Sequence, residues 1–231
     1  MGVRAQETPA NQVLKFSFEK DVQKWQAIGT DLTTATLAHA TDPAHVHGGS
    51  GALQYNYKIH EGEKSGAFGA ILVGKLAKMK TLRIWVQPDH NTVIGVILQE
   101  RDGGRYMGFA YVNADKWNEM RFAVEDFILS TNPGDPKDPD GKLDIEQVDS
   151  IAVTDYSQWL AGGGKGELQE KLFPYRRGDH VMYLDDVEAL TDVQPELTPK
   201  KGEDTVVDSL ERPQPSWVPL GSVKMLSIEE S

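Results

Sequence analysis

The 231-residue sequence contains no cysteine, so disulfides, thiolate metal sites and thiol nucleophiles are all excluded. It is also poor in cations: 24 Lys and Arg stand against 35 Asp and Glu, and the formal net charge is -11. Nucleic acids and anionic membrane surfaces are bound through clustered cations, so neither is expected as a partner. No apolar run approaches the roughly 20 residues that cross a bilayer. Proteins and neutral glycans fit this composition better.

The common catalytic motifs are missing as well. The sequence has no Gly-x-Ser-x-Gly elbow, no phosphate-binding loop and no His-Glu-x-x-His pair. Glu100 and Asp102 are a conceivable acid/base pair, but they flank a tight predicted hairpin rather than a cleft. We therefore predict a protein that is not an enzyme.

Apolar and polar residues alternate with a period of two along much of the chain. The pattern is clear in Leu53–Ile59 and Leu82–Val86, and it predicts strands with one buried face. Residues 93–100 and 106–112 flank a segment with adjacent glycines, which predicts a hairpin whose glycines supply positive φ angles. Further strands are predicted at 117–124 and 150–156, and a short helical turn at 143–148. Strands at this spacing predict an all-β sandwich or jelly roll.

The composition predicts one domain with tails. With 39% hydrophobic residues the chain can bury one core, which we place at residues 13–190. Residues 1–12 are an N-terminal extension, and 191–231 are a polar linker followed by an apolar docking arm. A loop inserted between Tyr156 and His180 includes Glu167–Phe173, which can form a short amphipathic helix.

Two segments far apart in sequence each alternate and then end in carboxylates. They are Phe16–Glu19 and Met182–Val187, and together they predict a sandwich whose first and last strands meet. Ca²⁺ needs several oxygen ligands from separate segments, so Glu19 and Asp185 are candidate ligands of a structural calcium ion. The alternative is two ordinary strand ends in water.

The first residues carry a partial export signal. Val3–Ala5 resembles the small-residue end of a secretory signal, although no apolar region precedes it. We predict an extracytoplasmic location, periplasmic or secreted, with peripheral attachment to a membrane as a further option. The alternative is an ordinary cytoplasmic N-terminus.

Several short motifs occur in an order that resembles a known family. The chain is similar to the galactose-binding-like jelly roll of family 11 carbohydrate-binding modules, and equally to the related complex I intermediate-associated assembly-factor family. The resemblance covers about Val13 to Leu190. It rests on the order of Phe18-Glu19, Gly51-Ala52-Leu53, Leu82–Val86, Glu100–Gly103 with Tyr106, Trp117, Asp126-Phe127, Leu143–Ile145, Asp149–Ile151 and Tyr183–Val187.

The resemblance implies two kinds of site. A structural calcium would join Glu19 and Asp185 to a backbone carbonyl near Gly48–Ser50. A glycan would lie on a concave sheet where aromatic faces stack on sugar C–H surfaces and polar groups bind hydroxyls. The residues expected to line that sheet are Arg83, Trp85, Arg101, Arg105, Tyr106, Asp155 and Tyr156. For Trp85 and Tyr156 the alternative is packing beneath the inserted loop.

Two functions therefore compete. The first is a non-catalytic subunit, extrinsic to or assembling a larger protein complex and docked through Trp217, Val218 and Leu220 of the C-terminal arm. The second is a carbohydrate-binding module for a neutral, β-glucan-like polysaccharide.

Overall fold

A computed structural model describes residues 11–29, 35–60, 66–72, 75–101, 103–132, 134–158 and 177–192. The described chain is dominated by β-structure, with three single-turn 3-10 helices at Pro43–His45, Val124–Asp126 and Ile145–Gln147. The strands are β1 Gln12–Phe16, β2 Gln26–Gly29, β3 Thr36–Ala40, β4 Ala52–Ile59, β5 Gly66–Ile71, β6 Thr81–Pro88, β7 Thr92–Glu100, β8 Arg105–Val112, β9 Asn118–Ala123, β10 Ile128–Leu129, β11 Val148–Asp155 and β12 Gly178–Leu190.

The strands form two antiparallel sheets of six strands each. Sheet A has the order β3-β4-β12-β6-β9, and β1 also pairs with β12. Sheet B has the order β10-β8-β7-β11-β5-β2. The first and last strands meet as predicted, because Gln12 pairs with Leu190 and Phe16 with Val187. The all-β jelly-roll sandwich expected from the sequence is confirmed.

The core lies between the inner faces of the two sheets. In β4, Tyr55 and Ile59 are at most 1% exposed, and in β6 Leu82 and Ile84 are fully buried. Residues between them point outward, so the period-two alternation correctly predicts the inner face of each strand. Each large apolar side chain buried here contributes roughly 1.5–3 kcal/mol of transfer free energy.

The predicted hairpin between β7 and β8 is present, but its glycines serve a different purpose. Neither Gly103 nor Gly104 has a positive φ angle. A Cβ atom on Gly103 would lie 2.0 Å from a carboxylate oxygen of Glu100, and one on Gly104 would lie 2.3 Å from Leu129. The turn therefore requires glycine because its backbone packs closely against neighbouring side chains.

The two carboxylate-bearing segments differ from the prediction in detail. The first strand ends at Phe16, and Phe18 has φ 49°, so Glu19 lies beyond the strand rather than at its end. The last strand runs well past its predicted limits, and its carboxylates lie in its middle. There the pairing with β6 is irregular between Asp185 and Glu188, and Asp186 has φ 46°. This β-bulge turns adjacent carboxylates outward on one strand.

The remaining expectations are met in part. The short turn predicted before β11 is the 3-10 helix Ile145–Gln147. The amphipathic helix predicted at Glu167–Phe173 and the docking arm with Trp217, Val218 and Leu220 lie outside the described residues. In the described part of the chain, no helix has the length and apolar character needed to cross a membrane.

Candidate functional site

The predicted glycan ligands do not share one surface. Arg83 and Trp85 belong to β6 and point outward from sheet A, whereas Arg105 belongs to β8 and points outward from sheet B. Tyr156 follows directly after β11 on the outer side of sheet B, and Arg101 is exposed in the hairpin turn. The expectation of a single lining set is therefore wrong, because sequence periodicity fixes the face of a strand and not the sheet that it joins.

Two of the predicted ligands lie inside the sandwich. Asp155 is fully buried and Tyr106 is 1% exposed. Both occupy inward positions of their strands, each with one partly exposed neighbour, Arg105 beside Tyr106 and Tyr156 beside Asp155. The Tyr106 hydroxyl donates a hydrogen bond to Asp138. Neither side chain can therefore contact a glycan on the surface, and the prediction that they do is wrong.

The outer face of sheet A is already occupied by protein groups. The Trp85 ring stacks on the His47 imidazole, with ring centroids 3.8 Å apart and planes inclined by 17°. Tyr183 is stacked on His45 in the same way, at 4.0 Å. One face of each aromatic ring is thus covered by the 43–50 segment, which leaves less ring surface for a sugar.

Arg83 is also engaged on this face. Its guanidinium donates to the Glu188 carboxylate, with Nε 2.7 Å from Oε2. Glu188 is shared with Lys15, and Glu119 accepts a two-point hydrogen bond from Arg121 at 2.9 and 2.8 Å. Sheet A therefore presents a paired ionic network, and Arg83 is not available as a ligand without breaking it.

The outer face of sheet B carries an aromatic group that includes the predicted Tyr156 and two residues absent from the prediction, Phe109 and Tyr111. Phe109 and Tyr111 point outward from β8 and are partly exposed, as is Tyr156. The rings of Phe109 and Tyr156 meet edge to face, with centroids 4.9 Å apart. The signal was available in the alternation of β8, where residues 105, 107, 109 and 111 share one face.

Small and polar residues adjoin these rings. Gly95 pairs with both Phe109 and Thr154 across the centre of sheet B. A Cβ atom on Gly95 would lie 3.6 Å from the Phe109 ring, so the ring rests close to the sheet backbone. Four residue pairs further along the β7–β8 ladder, Arg105 bonds Gln99 at 3.2 Å and pairs with Asp135 at 2.5 Å. The face thus combines ring surface with hydrogen-bonding groups, which is the composition of a saccharide platform.

The predicted calcium ligands lie against one loop. The Glu19 carboxylate accepts hydrogen bonds from the amide and hydroxyl of Ser50, both at 2.8 Å. The Asp185 carboxylate accepts from the amides of His47 and Gly48, at 3.1 and 3.0 Å. The loop expected to supply a carbonyl therefore presents amide donors to both acids. Gly49 is required here, because its φ is 71° and a Cβ atom would lie 1.8 Å from Glu19.

Negative charge accumulates around Asp185. Burial raises the pKa of Asp185 to about 6, and the adjacent Asp186 carboxylate adds to this rise. Asp186 lies 2.5 Å from the Lys15 ammonium and 3.5 Å from the His47 imidazole. One ligand atom from each of His47, Asp185 and Asp186 lies within 4.8 Å of the others. This excess of carboxylate oxygen fits a hard cation.

Comparisons with solved structures agree with this fold. A family 11 carbohydrate-binding module from Clostridium thermocellum, in complex with a β-1,3-1,4-mixed-linked tetrasaccharide, matches with a TM-score of 0.53 and 12% identity over 78% of this chain and 95% of that one. The family 11 module of the cellulosomal cellulase Lic26A-Cel5E of the same organism matches with a TM-score of 0.53 and 13% identity, covering 79% of this chain and 96% of that chain.

A third match is an exo-β-agarase, with a TM-score of 0.51 and 9% identity over 80% of this chain and 25% of that chain. At such identities the likeness shows the fold alone, a jelly-roll β-sandwich. No protein-family model matches the sequence, and no curated protein matches it significantly. The assembly-factor part of the sequence resemblance stays a prediction.

Proposed function

We propose that this protein is a non-catalytic carbohydrate-binding module that recognises a neutral, β-glucan-like polysaccharide through the outer face of sheet B. The observation that carries the proposal is the partly exposed aromatic group of Phe109, Tyr111 and Tyr156. Aromatic rings bind the C–H faces of sugars. The polar pair of Gln99 and Arg105 lies four residue pairs away along the β7–β8 ladder and is bound to Asp135, so it can bond a sugar hydroxyl only by exchanging these contacts. An extracytoplasmic location, where polysaccharides are encountered, belongs to the same proposal.

Two further features support it. The fold is that of modules whose solved complexes include a β-1,3-1,4-linked tetrasaccharide. Neutral sugars impose no requirement for basic residues, so the formal charge of -11 is no obstacle. The absence of catalytic motifs from the sequence fits a protein that binds its ligand without transforming it.

Affinity electrophoresis in gels containing mixed-linked β-glucan tests the proposal. Wild-type protein should be retarded, and Phe109→Ala and Tyr156→Ala should each lose most of that retardation while keeping the wild-type melting temperature. Trp85→Ala is the matched control, because it removes an aromatic residue from the outer face of the opposite sheet. Retention that survives both sheet B variants but is lost with Trp85→Ala would refute the assignment to sheet B. No retardation of wild type on β-glucan, xylan or galactan would refute the function.

The second candidate is an extrinsic or assembly subunit of a protein complex. One observation favours it: Val93, Ile97 and Met107 also lie on the outer face of sheet B, and aliphatic residues suit a protein surface better than a sugar. Purification from the native source separates the two candidates. Stable co-purification with other subunits, together with no polysaccharide binding, would favour the subunit.

We also propose that Glu19 and Asp185 contribute to a structural calcium site, joined by Asp186. The ion would supply positive charge where carboxylates from the N-terminal segment and from β12 approach one loop. Its role would be to hold these segments together, because binding to the folded state alone raises stability.

A further inference from the structure

A second group of ionisable side chains lies between the two sheets, at one end of the sandwich. Asp89 and His90 belong to the turn between β6 and β7, and His180 lies at the beginning of β12. His90 and His180 are 5% and 9% exposed, and their ring centroids are 4.3 Å apart. The group is separate from the aromatic residues Phe109, Tyr111 and Tyr156 on the outer face of sheet B, and from the loop that contacts Glu19.

The donor atoms of these three residues converge. The Nδ1 atom of His90 lies 2.7 Å from Asp89 Oδ1, and the Nδ1 atom of His180 lies 3.1 Å from each Asp89 oxygen. One ligand atom from each residue lies within 4.8 Å of the other two. Two imidazole nitrogens with one carboxylate oxygen are a ligand set typical of zinc and related transition metals.

The far side of His90 contacts a buried carboxylate. Its Nε2 atom lies 3.0 Å from Asp155 Oδ2, and Asp155 is fully buried. Asp155 is itself fixed: Tyr57 donates to Oδ2 at 2.7 Å, while Thr92 and Ser157 donate to Oδ1 at 2.6 Å each. A carboxylate behind a metal-binding histidine orients the ring, and here it directs the opposite nitrogen, Nδ1, towards Asp89. This arrangement is the second, independent indication of a metal site.

We propose that Asp89, His90 and His180 bind one divalent transition-metal ion, with zinc as the representative metal and Asp155 as the residue that positions His90. The ion would reach the site from the side of Asp89, because the Asp89 side chain is 29% exposed whereas both histidine side chains are almost fully buried. The ion would connect the β6–β7 turn to β12, and through Asp155 it would connect both to β11. Its role is therefore a clamp at this end of the sandwich, where a water molecule completes the coordination.

Metal titration of the full chain at about pH 8 tests the proposal, and the ion must there displace any proton that the imidazole nitrogens hold. Calorimetry with Zn²⁺ should give one site, and Co²⁺ should give visible absorption bands that Zn²⁺ abolishes. His180→Gln and Asp89→Asn should each weaken Zn²⁺ binding at least tenfold, by loss of a ligand. Asp155→Asn should weaken it by roughly 10–100-fold through the lost orientation of His90.

His47→Gln is the matched control. His47 belongs to the other histidine-and-aspartate group of the described residues, so its loss should leave the Zn²⁺ site unchanged. Loss of binding in His47→Gln with retention in His180→Gln would overturn the proposal, as would absence of Co²⁺ bands in wild type. If the buried variants fail to fold, the NMR signals of the histidine side chains in the wild-type protein test the site instead. Zn²⁺ should shift the signals of His90 and His180, and unchanged signals would overturn the proposal.

Discussion

His90 Nε2 lies 3.0 Å from Asp155 Oδ2, and both side chains are almost wholly buried. The contact joins the β6–β7 turn, which connects the two sheets, to the end of β11 in sheet B. Burial by itself would lower the pKa of His90, but the Asp155 and Asp89 carboxylates outweigh it and raise the pKa to about 9. The same contact holds the pKa of Asp155 below its usual range despite burial. In the metal-free protein the pair is therefore charged at neutral pH.

The stability of metal-free protein should depend on this pair. The folded-state pKa of His90 is raised above its unfolded value of about 6.5, so its contribution is complete below about pH 6.5 and is lost as pH rises through about 9. The loss is on the order of 3 kcal/mol, and Asp89 and His180 are the other ionisable groups that face the His90 ring. Chemical denaturation in chelator between these pH values measures it. His90→Gln should remove the slope, whereas His45→Gln, on the outer side of sheet A, should keep it; equal slopes in all three proteins would contradict the prediction.

Two glycines with similar φ angles should respond differently to alanine. Gly49 has φ 71° and its Cβ would lie 1.8 Å from Glu19, whereas Gly141 has φ 69° with no atom within 4 Å of the added carbon. Gly141→Ala should cost about 1 kcal/mol, from backbone strain alone. Gly49→Ala should cost roughly 2 to 3 kcal/mol, because Glu19 must also leave Ser50. Denaturant midpoints compare them, and equal losses would show that the Glu19 contact is unimportant.

Calcium should reverse the sign of the stability change that an Asp185 substitution causes. The folded-state pKa of Asp185 is raised to about 6, so without a cation its charge destabilises the fold increasingly as pH rises from about 4 through about 6. In chelator at neutral pH, Asp185→Asn should therefore be as stable as wild type or up to about 2 kcal/mol more stable.

In calcium the order should reverse, because only wild type gains stability from the ion. Melting temperatures in calcium and in excess chelator measure both effects. Asp179→Asn is the control, since its side chain is 90% exposed and distant from the loop. Identical wild-type melting curves with and without calcium would reject the site.

The period-two alternation of the sequence predicts some features of the structure and not others. It encodes the face of each strand, so the buried positions of β4 and β6 were predictable. The meeting of β1 with β12 was instead predicted from the two similar carboxylate-bearing segments. It does not encode which sheet a strand joins, and Trp85 and Tyr156 were therefore grouped although they lie on different sheets. Asp155 has the appearance of a polar strand end, yet partners such as Tyr57 and His90, distant in sequence, keep it inside. The bulge at Asp186 depends on three neighbouring strands and has no local signal.

Removal of residues 193–231 should leave the sandwich intact. The last strand ends at Leu190, and Asp192 is held by Asn11 at 3.0 Å and by Thr81, whose hydroxyl donates to its carbonyl at 2.7 Å. A chain ending at residue 192 keeps all of these contacts, so its free energy of unfolding should change by less than about 0.5 kcal/mol. A chain ending at residue 186 loses the pairing of β12 with β1, and with it buried Val187 and Ala189, and should unfold.

The same truncation tests the docking arm. If Trp217 anchors the protein to a complex, the chain ending at residue 192 should remain folded but should no longer co-purify with partner subunits. Polysaccharide retention should be unaffected, because the sheet B face lies within the retained residues. Aggregation or unfolding of this truncated chain would show that residues 193–231 belong to the core, and the docking hypothesis would then fail.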